Sequence, residues 1–491
     1  QVYERAHAAF EVLRKMTVRQ RLDECKKLLR YIRNNKEHLI DRICQENGKS
    51  RFDALVTEIF SVLESIAWYD KNAERILQDK PLSTPLLLLG KKGKITFEPM
   101  GPVLIIMPWN YPFNQATQPF LDAFIAGNPV IYKPSEYTPM QGLLEEMLQK
   151  SGFMKDAFQV VYGGKETGKK LIDGRPKKIF FTGSTPAGRA IMAQAAQYLI
   201  PVELELGGKD PMVVFDDVDM ERTVNGALWG GFANSGQTCT SVERLYVQEG
   251  IYDSFVKQLR EKAAKLTTPD TFSGTDEGSL DIGYMTTTFQ TEKVERQVAE
   301  AQEKGAQVSN NCKRTGDVRA LQPTIVEGAS HDMEVLADET FGPVIVVDRF
   351  KDEDEAIAKA NDSQYGLSAS VWSRDLTRAE RVARAIETGN VSINNVLSTQ
   401  AHSGLPFGGT KDSGLGRFKG EFGLHGFSNV KSIMVEKQSN MLEVNWYPYT
   451  KEKYQQMSKT IDALFADGPF AIVGGLIQAL KLQGLSKKQR L

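Results

Sequence analysis

One cysteine of the chain lies in a sequence context suited to nucleophilic chemistry. Cys239 stands in the stretch Asn234-Ser-Gly-Gln-Thr-Cys-Thr, between an apolar helical segment and a β-like run. The thiolate is the nucleophilic form, and a free thiol with a pKa of about 8.5 is mostly protonated at neutral pH. Cys239 therefore needs a base, and because no histidine is close in sequence we expect a carboxylate. The alternative is a small buried side chain that only packs.

Two glutamates in one extended segment are candidates for that base. Glu203 and Glu205 alternate with leucines in Pro201-Val-Glu-Leu-Glu-Leu-Gly-Gly-Lys, so both carboxylates point to one face. Two buried carboxylates on one face would repel each other. We therefore expect one of them to be paired with a cation or solvated.

A strand-to-helix turn is a candidate site for a phosphate group. The apolar run that ends at Thr182 is followed by Gly183 and Ser184, with Pro186 in the first turn of the next helix. Free amides at a helix N-terminus and the Ser184 hydroxyl can bind a pyrophosphate, although an ordinary turn has the same appearance. The segment 163–170 lacks the Ser or Thr of a nucleoside-triphosphate loop, and no complete dinucleotide fingerprint occurs.

The elements that carry these residues alternate between short apolar β-runs and helical stretches. Residues 2–79 show the three-and-four spacing of amphipathic helices, and the alternation begins at residue 101. It continues in two sets, about 101–206 and 207–395. Repeated strand–helix alternation predicts an α/β fold with parallel, doubly wound sheets.

Composition excludes several classes of protein. The chain has 491 residues, 61 Lys and Arg against 62 Asp and Glu, and a net charge of −1, so a nucleic-acid partner is not expected. Its four cysteines and five histidines form no metal-binding or disulfide pattern, so we expect no metal and a reducing compartment. The charged N-terminal segment lacks the apolar run of a secretory signal, and we expect a cytoplasmic protein.

Seven motifs occur together in the order and approximate spacing of one enzyme family. They are Pro108-Trp-Asn-Tyr-Pro, Lys133-Pro-Ser-Glu, Phe181-Thr-Gly-Ser-Thr, Glu205-Leu-Gly-Gly-Lys, Ser235-Gly-Gln-Thr-Cys, Glu339-Thr-Phe-Gly-Pro and Leu405-Pro-Phe-Gly-Gly. With this set the chain resembles the NAD(P)-dependent aldehyde dehydrogenases over roughly residues 2–436. It looks most like their class three and fatty-aldehyde branch.

The resemblance implies a catalytic set of three residues. Cys239 matches the nucleophile, and Asn110 matches the side-chain donor of the oxyanion hole, together with the Cys239 backbone amide. Glu205 matches the general base that activates the hydrolytic water. Glu203 has no role carried over from the family.

The resemblance also implies a cofactor site for NAD, with NADP as the alternative. A carboxylate at Glu136 repels a 2′-phosphate and favours NAD, although the class three branch accepts both cofactors. The matched residues hold the adenosine ribose, the pyrophosphate or the nicotinamide side. They are Lys133, Glu136, Gly164, Gly183, Ser184, Trp109, Glu339 and Phe341.

The architecture implied by the resemblance has a Rossmann-like cofactor domain, an α/β catalytic domain and a β-arm for oligomerisation. The expected bounds are 1–84 with 101–206 for the first, 207–395 for the second and 85–100 with 396–436 for the arm. We therefore expect a homodimer or homotetramer. A partly helical C-terminal extension, 437–491, has an apolar stripe and a basic end, and could contact a membrane surface weakly.

The expected reaction is hydrolytic oxidation of an aldehyde to its acid, with an apolar medium- or long-chain or aromatic aldehyde as substrate. Semialdehyde oxidation, transfer of the acyl group to coenzyme A and a non-catalytic NAD-binding role are the alternatives. Family members that acylate coenzyme A generally lack the Glu205 base, which argues against that reading.

Overall fold

The computed structural model describes residues 1–85, 88, 91–269, 276–312, 314, 317, 319–436 and 442–488. The helices of these residues are α1 Val2–Leu13, α2 Val18–Asn34, α3 Lys36–Asn47, α4 Arg51–Asp53, α5 Ser61–Leu77, α6 Asn114–Ile125, α7 Leu143–Ser151, α8 Lys165–Asp173, α9 Thr185–Ala196, α10 Met220–Phe232, α11 Tyr252–Ala263, α12 Thr288–Glu303, α13 Glu334–Ala337, α14 Glu353–Asn361, α15 Leu376–Ala385, α16 Ser398–Ala401, α17 Gly420–Gly426, α18 Lys451–Leu464 and α19 Ala471–Lys488.

The strands are short, as expected for apolar runs separated by helices. They are β1 Lys80–Leu82, β2 Lys91–Pro99, β3 Val103–Ile106, β4 Val130–Lys133, β5 Phe158–Val160, β6 Lys178–Thr182, β7 Val202–Glu205, β8 Asp210–Val214, β9 Val242–Gln248, β10 Gln307–Val308, β11 Thr324–Glu327, β12 Val344–Phe350, β13 Tyr365–Gly366, β14 Ser368–Trp372, β15 Asn390–Ile393, β16 Thr410–Lys411, β17 Gly414–Leu415 and β18 Ser428–Glu436.

The N-terminal helices form because their apolar residues fall on one face and their ends are capped. Thr17 and Gln20 make a reciprocal capping box at the start of α2. A π-helical turn, Ala54–Phe60, joins α4 to α5 and places Glu58 in the core. The Glu58 carboxylate pairs with Lys49 at 2.6 Å and accepts the backbone N–H of Phe113 at 3.0 Å. The predicted helical region 2–79 is confirmed, and it anchors the start of α6.

The first α/β layer is a six-stranded sheet in the order β17-β7-β6-β3-β4-β5, parallel except for β17. Its central strands are buried on both faces, which explains their continuous apolar runs. Ile106 pairs with Lys133 in register, and Thr182 with Glu205. Candidate residues therefore lie at the carboxyl ends of neighbouring strands, where open α/β sheets bind ligands.

The second layer is a seven-stranded sheet in the order β10-β11-β12-β9-β8-β14-β15, with only β10 antiparallel to its neighbour. Helices α10 and α11 pack on one face through Val224, Phe232 and Phe255. Cys239 lies just before β9. The predicted α/β class with parallel sheets is thus confirmed.

The chain divides into two compact units, 1–77 with 98–429, and 78–97 with 430–491. The second unit contains a three-stranded sheet in the order β1-β2-β18, in which β1 and β2 are antiparallel. It also contains a hairpin of helices α18 and α19. Strands β1 and β2 pair antiparallel, and the apolar run 86–89 lies in the sequence between them. Apart from residue 88, that run lies outside the described residues, as do 437–441 and the side chains of the basic end 487–490.

Candidate active site

A strained turn presents Cys239 at the start of β9. Asn234 and Ser235 adopt left-handed backbone angles, with φ of 53° and 58°. The buried Asp53 carboxylate accepts the Asn234 N–H at 2.9 Å, and Ser235 donates to the Gly283 carbonyl at 2.9 Å. Non-glycine residues in this region cost free energy and persist only where surrounding contacts hold them. The turn is therefore fixed from outside before Cys239 is reached.

The surroundings of the Cys239 thiol disfavour its ionisation. The residue is partly buried, and desolvation raises its pKa well above the ordinary value, with carboxylates at Glu339, Asp210 and Glu205 acting in the same direction. A thiol of this kind needs a base at the moment of attack. The sequence likewise indicated that Cys239 needs a base and that a carboxylate would supply it.

The two glutamates of β7 have different surroundings, although they share one face. Glu203 is buried and forms an ion pair with Lys178 at 2.5 Å. Glu205 is also buried, and neither of its carboxylate oxygens has a hydrogen-bond partner among the described residues. Burial raises the pKa of Glu205 well above its usual range, and the charge of Glu203 raises it further. Glu205 is therefore suited to accept a proton, because none of the described residues donates a hydrogen bond to its carboxylate.

Cys239 and Glu205 line one pocket with an aromatic wall. Five rings contribute to this wall, from Tyr111, Phe180, Trp229, Phe407 and Phe418. Among the described residues that line the pocket, the charged ones are Glu205 and Lys419. An apolar pocket with a few convergent polar groups is the usual form of a small-molecule site.

Asn110 is brought to the loop that carries Cys239. It is 2% exposed, and its Nδ2 donates to the Gln237 carbonyl at 3.0 Å, two residues before Cys239. Its backbone carbonyl accepts from Lys49 at 2.9 Å and from Asn234 at 3.0 Å. One amide hydrogen of Asn110 thus fixes the side chain, and an amide nitrogen has a second hydrogen to donate.

Three predicted cofactor residues meet at the carboxyl end of β4. Lys133 is 5% exposed, and its ammonium donates to the Pro134 carbonyl at 3.0 Å and lies 3.7 Å from a Glu136 oxygen. The Glu136 carboxylate is half exposed, and a Cβ on Gly164 would lie 3.5 Å from it. A cation and a carboxylate beside an open glycine form a cradle that fits ribose hydroxyls.

Gly183 and Ser184 stand at the start of α9. Ser184 is its N-cap in extended conformation, and its side chain makes no capping hydrogen bond in this described segment. A Cβ on Gly183 would lie 2.4 Å from the Phe181 ring, so a larger residue here would require that ring to move. The N-terminus of this twelve-residue helix fits a pyrophosphate.

Glu339, Phe341 and Trp109 form a third group. Glu339 accepts the Gly208 N–H at 3.0 Å, and burial raises its pKa to about 7. The rings of Phe341 and Trp109 meet edge to face, with centroids 5.3 Å apart. Phe341 has a left-handed backbone with φ of 56°, which is held because the Glu243 carboxylate accepts its N–H at 2.8 Å.

The structure adds polar residues that the sequence did not single out. Glu243 pairs with the buried Lys209 at 2.5 Å while it holds Phe341. The hydroxyls of Tyr111 and Thr238 lie 2.5 Å apart beside Cys239. Lys419 lines the pocket with Glu205. Lys209 precedes β8, and the register of β8 with β9 is irregular at Asp210 and Pro211, so strand alternation does not indicate its pairing with Glu243. Lys419 carries no local signal either.

A comparison with known proteins shows that one protein family matches most of the chain. The family described as "Aldehyde dehydrogenase family" matches residues 1–433. The chain is 41% identical over 456 residues to a 4,4′-diapolycopene aldehyde oxidase of Methylomonas sp, covering 92% of this chain and 84% of that protein. It is 36% identical to a glutarate-semialdehyde dehydrogenase of Pseudomonas aeruginosa, covering 88% of each.

Solved structures agree with this result. A crystal structure of an E. coli NADP-dependent enzyme superposes with a TM-score of 0.83 at 33% identity and 89% coverage of both chains. A betaine aldehyde dehydrogenase of Staphylococcus aureus, solved with NAD+, superposes with a TM-score of 0.83 at 29% identity and 91% coverage of both chains. These relatives do not confirm the predicted likeness to the class three branch. They do agree on the fold, and the chain belongs to the aldehyde dehydrogenase family.

Proposed function

We propose that this aldehyde dehydrogenase oxidises apolar aldehydes, long-chain or aromatic, to their carboxylic acids. NAD or NADP is the cofactor of the family. The observation that carries the proposal is the shared pocket of Cys239 and Glu205, whose wall contains five aromatic rings. The burial of apolar substrate surface against such a wall contributes favourably to the free energy of binding. The diapolycopene aldehyde oxidase at 41% identity is named for an aldehyde, which supports an aldehyde as the substrate.

In the first proposed step, the Cys239 sulfur attacks the carbonyl carbon of the aldehyde. A C–S bond forms, the thiol proton passes to Glu205, and the carbonyl oxygen becomes an oxyanion. The second amide hydrogen of Asn110 and the Cys239 backbone N–H stabilise that oxygen. Burial raises the pKa of the Glu205 carboxylate, which makes it a stronger acceptor for the proton of a thiol whose own pKa is also raised.

The residues present fit a dinucleotide. Lys133 and Glu136 would hold the adenosine ribose beside Gly164, and the Gly183 and Ser184 turn would hold the pyrophosphate. When bound, the cofactor accepts a hydride. Glu136 supports NAD over NADP because its carboxylate repels a 2′-phosphate. Glu339, Phe341 and Trp109 would clamp the nicotinamide end.

Once the hydride has left the substrate carbon, Cys239 carries a thioester. Glu205 releases the thiol proton to solvent and then takes a proton from water, so that hydroxide adds to the acyl carbon. The C–S bond breaks to release the carboxylic acid, and the leaving Cys239 thiolate regains a proton from Glu205. The absence of a structural hydrogen bond to Glu205 within the described residues supports this role, because a proton acceptor engaged by a donor is weaker.

A panel of aldehydes tests the proposed function. Each of a short, a long-chain, an aromatic and a carboxylate-bearing aldehyde is paired with NAD and with NADP, and reduced nicotinamide is followed by absorbance. We expect kcat/KM to be highest for long-chain or aromatic aldehydes with NAD, without coenzyme A. Preference for a carboxylate-bearing aldehyde would instead place the chain with its semialdehyde-oxidising relatives. Turnover only with coenzyme A would favour acyl transfer, and NAD binding without turnover a non-catalytic role.

We also propose the domain bounds and the oligomeric state that the resemblance to the aldehyde dehydrogenases implies. The cofactor domain would comprise 1–84 and 101–206, the catalytic domain 207–395, and the arm 85–100 with 396–436 would join subunits into a homodimer or homotetramer. The exposed apolar side chains on β18, Val430, Met434 and Val435, support an interface on that strand.

A weak membrane contact through the C-terminal extension is proposed on the loop between α18 and α19. Phe465 and Phe470 flank this loop and are 76% and 80% exposed. None of the helices in the described part of the chain meets the length and apolarity needed to cross a bilayer.

Liposome flotation tests this contact. We expect the protein to float with anionic vesicles, and the double variant F465S/F470S to float severalfold less, because each exposed ring loses apolar area for insertion. The double variant F52S/F60S removes two rings that are 60% and 62% exposed elsewhere and serves as the matched control. Equal flotation of both double variants would contradict the proposal.

A further inference from the structure

The pocket of Cys239 and Glu205 contains a buried lysine that the proposed mechanism does not use. Lys419 is 8% exposed, and its ammonium donates to the Gln400 carbonyl at 2.5 Å. The rings of Phe407 and Phe418 lie 5.7 and 5.8 Å from the same nitrogen. An ammonium so placed is costly to desolvate, and buried lysines without anionic partners lose their proton.

The backbone of Lys419 is held in a conformation that side chains other than glycine rarely adopt. Its φ of 69° and ψ of 156° fall in the region populated almost entirely by glycine. The Asp122 carboxylate accepts the Lys419 N–H at 3.1 Å, and the Tyr69 hydroxyl accepts the next amide, Gly420 N–H, at 3.0 Å. A glycine would satisfy these backbone contacts without strain. The side chain is therefore the reason for a lysine at this position.

Four groups that are negative when ionised lie close enough to Lys419 to act on its charge. Asp122 of α6 and Glu64 of α5 lie on one side, and Glu205 and Cys239 lie on the pocket side; all four favour the charged ammonium. Desolvation is nevertheless the largest influence and lowers the pKa of Lys419 to about 8. The ammonium therefore remains charged at neutral pH while it faces the two proposed reacting groups.

The other charged residues near Glu205 make their contacts with residues that do not line the pocket. Glu203 raises the pKa of Glu205, but its own charge is paired with Lys178. The Arg417 guanidinium donates to the carbonyls of Gly409 and Gly416, at 2.7 and 2.6 Å. Of the cations that favour ionised Glu205, Arg417 and Lys419, only Lys419 lines the pocket in the described structure.

We propose that Lys419 is a positioning residue whose ammonium stabilises the negative charges of the pocket, the Glu205 carboxylate and the Cys239 thiolate. This inference rests on the proposed function. Without the cation, Glu205 would hold its proton to higher pH and would fail as a base over part of the neutral range. The strained backbone of Lys419 is retained because it directs a cation to the place where negative charge must form.

The test compares the pH dependence of kcat for one apolar aldehyde in four proteins, the wild type, K419M, K419G and K419R. In K419M and K419G we expect the acid limb to move to higher pH by on the order of one pH unit, with about tenfold lower kcat below the limb. At alkaline pH their kcat should approach that of the wild type. K419R restores the cation and should return the limb toward its original position.

A second measurement does not depend on aldehyde turnover. The rate of Cys239 alkylation by iodoacetamide reports the thiolate fraction. We expect the pH profile of alkylation to move to higher pH in K419M, and this result does not depend on turnover. A wild type without turnover, whose alkylation nevertheless depends on Lys419, would contradict the proposed function and support the inference.

Lys411 provides the matched control. It also has a left-handed backbone, with φ of 51°, but its ammonium donates to the Asn361 carbonyl at 2.9 Å on the surface and pairs with Glu387. K411G should leave both pH profiles unchanged. The Tm of K419G should not fall, because glycine removes backbone strain.

Unmoved profiles in K419M and K419G would overturn the inference. So would an unmoved acid limb together with a KM that rises only for carboxylate-bearing aldehydes, because Lys419 would then be a substrate contact. A limb that moves equally in K419R and K419M would also overturn it, since loss of packing rather than of charge would be the cause.

Discussion

Replacing Cys239 by alanine is expected to abolish aldehyde turnover, with a loss in kcat on the order of 10⁴-fold or more. Alanine cannot form the C–S bond, so neither the oxyanion nor the thioester can arise on the protein. The remaining groups, Glu205 and Asn110, act only on an intermediate that is no longer made. Because Cys239 is only partly buried, the loss of one sulfur should change the Tm little.

The control for C239A is another cysteine with a packing role. Cys312 is buried in a separate apolar cluster with Val294 and Leu321. C312A should keep the wild-type kcat and lose about 1 kcal/mol of unfolding free energy through the cavity it leaves. Reduced nicotinamide formation and thermal unfolding are measured on both variants. Wild-type turnover by C239A would eliminate the proposed nucleophile.

Much of the fold could be predicted because its signals are local. A parallel strand buried on both faces must be apolar along its whole length, and β3 and β4 are of this kind. Gly183, Ser184 and Pro186 mark the start of α9 by their residue types alone. Placing candidate residues at the ends of such strands follows from the topology of parallel sheets, in which carboxyl ends share one edge.

A difference between Glu203 and Glu205 is expected from the repulsion of two buried carboxylates, but the strand itself does not indicate which of them is paired or with what. The difference arises from residues distant in sequence, because Lys178 pairs with Glu203 while Gly408 and Gly416 leave room at the carboxylates. A Cβ on Gly408 would lie 2.9 Å from a Glu205 oxygen. Burial and pairing of this kind depend on which segments meet, and neither is encoded near the glutamates.

The same limit applies to the supports of the predicted residues. The Asn110 turn is held through Lys49 and Glu58, and Phe341 through Glu243, which lies 98 residues away in the chain. Lys419 follows the predicted motif at 405–409 by ten residues and carries no local indication that its ammonium enters the pocket. The chemistry could be assigned by family motifs, whereas the electrostatics of the pocket required the folded chain.

Replacing Glu205 by glutamine separates its two proposed roles. The variant should still bind aldehyde and cofactor, but hydrolysis of the thioester should slow by on the order of 10³-fold because no base activates water. We expect a burst of reduced nicotinamide equal to one per Cys239, followed by a slow steady state. The Tm should not fall, since the pKa of Glu205 is already raised well above its usual range by burial and a neutral amide is cheaper to bury.

Glu203→Gln is the control on the same strand. It breaks the buried pair with Lys178 and should lower the free energy of unfolding by about 3 kcal/mol, without producing a burst. Rapid-mixing absorbance gives the burst, and intact-protein mass gives the acyl adduct on Cys239. Steady turnover by E205Q at the wild-type rate would contradict the assignment of the base.

The rate of the burst decides how the thiol is activated. If Glu205 only activates water, acyl transfer to Cys239 in E205Q should be as fast as in the wild type, and only the steady state should slow. If Glu205 also takes the thiol proton, as we propose, the burst itself should slow at neutral pH. The rate of the burst should recover as the pH rises toward the raised pKa of Cys239, because the thiolate then forms without a base. A burst that is slow at every pH would place Glu205 in substrate positioning instead.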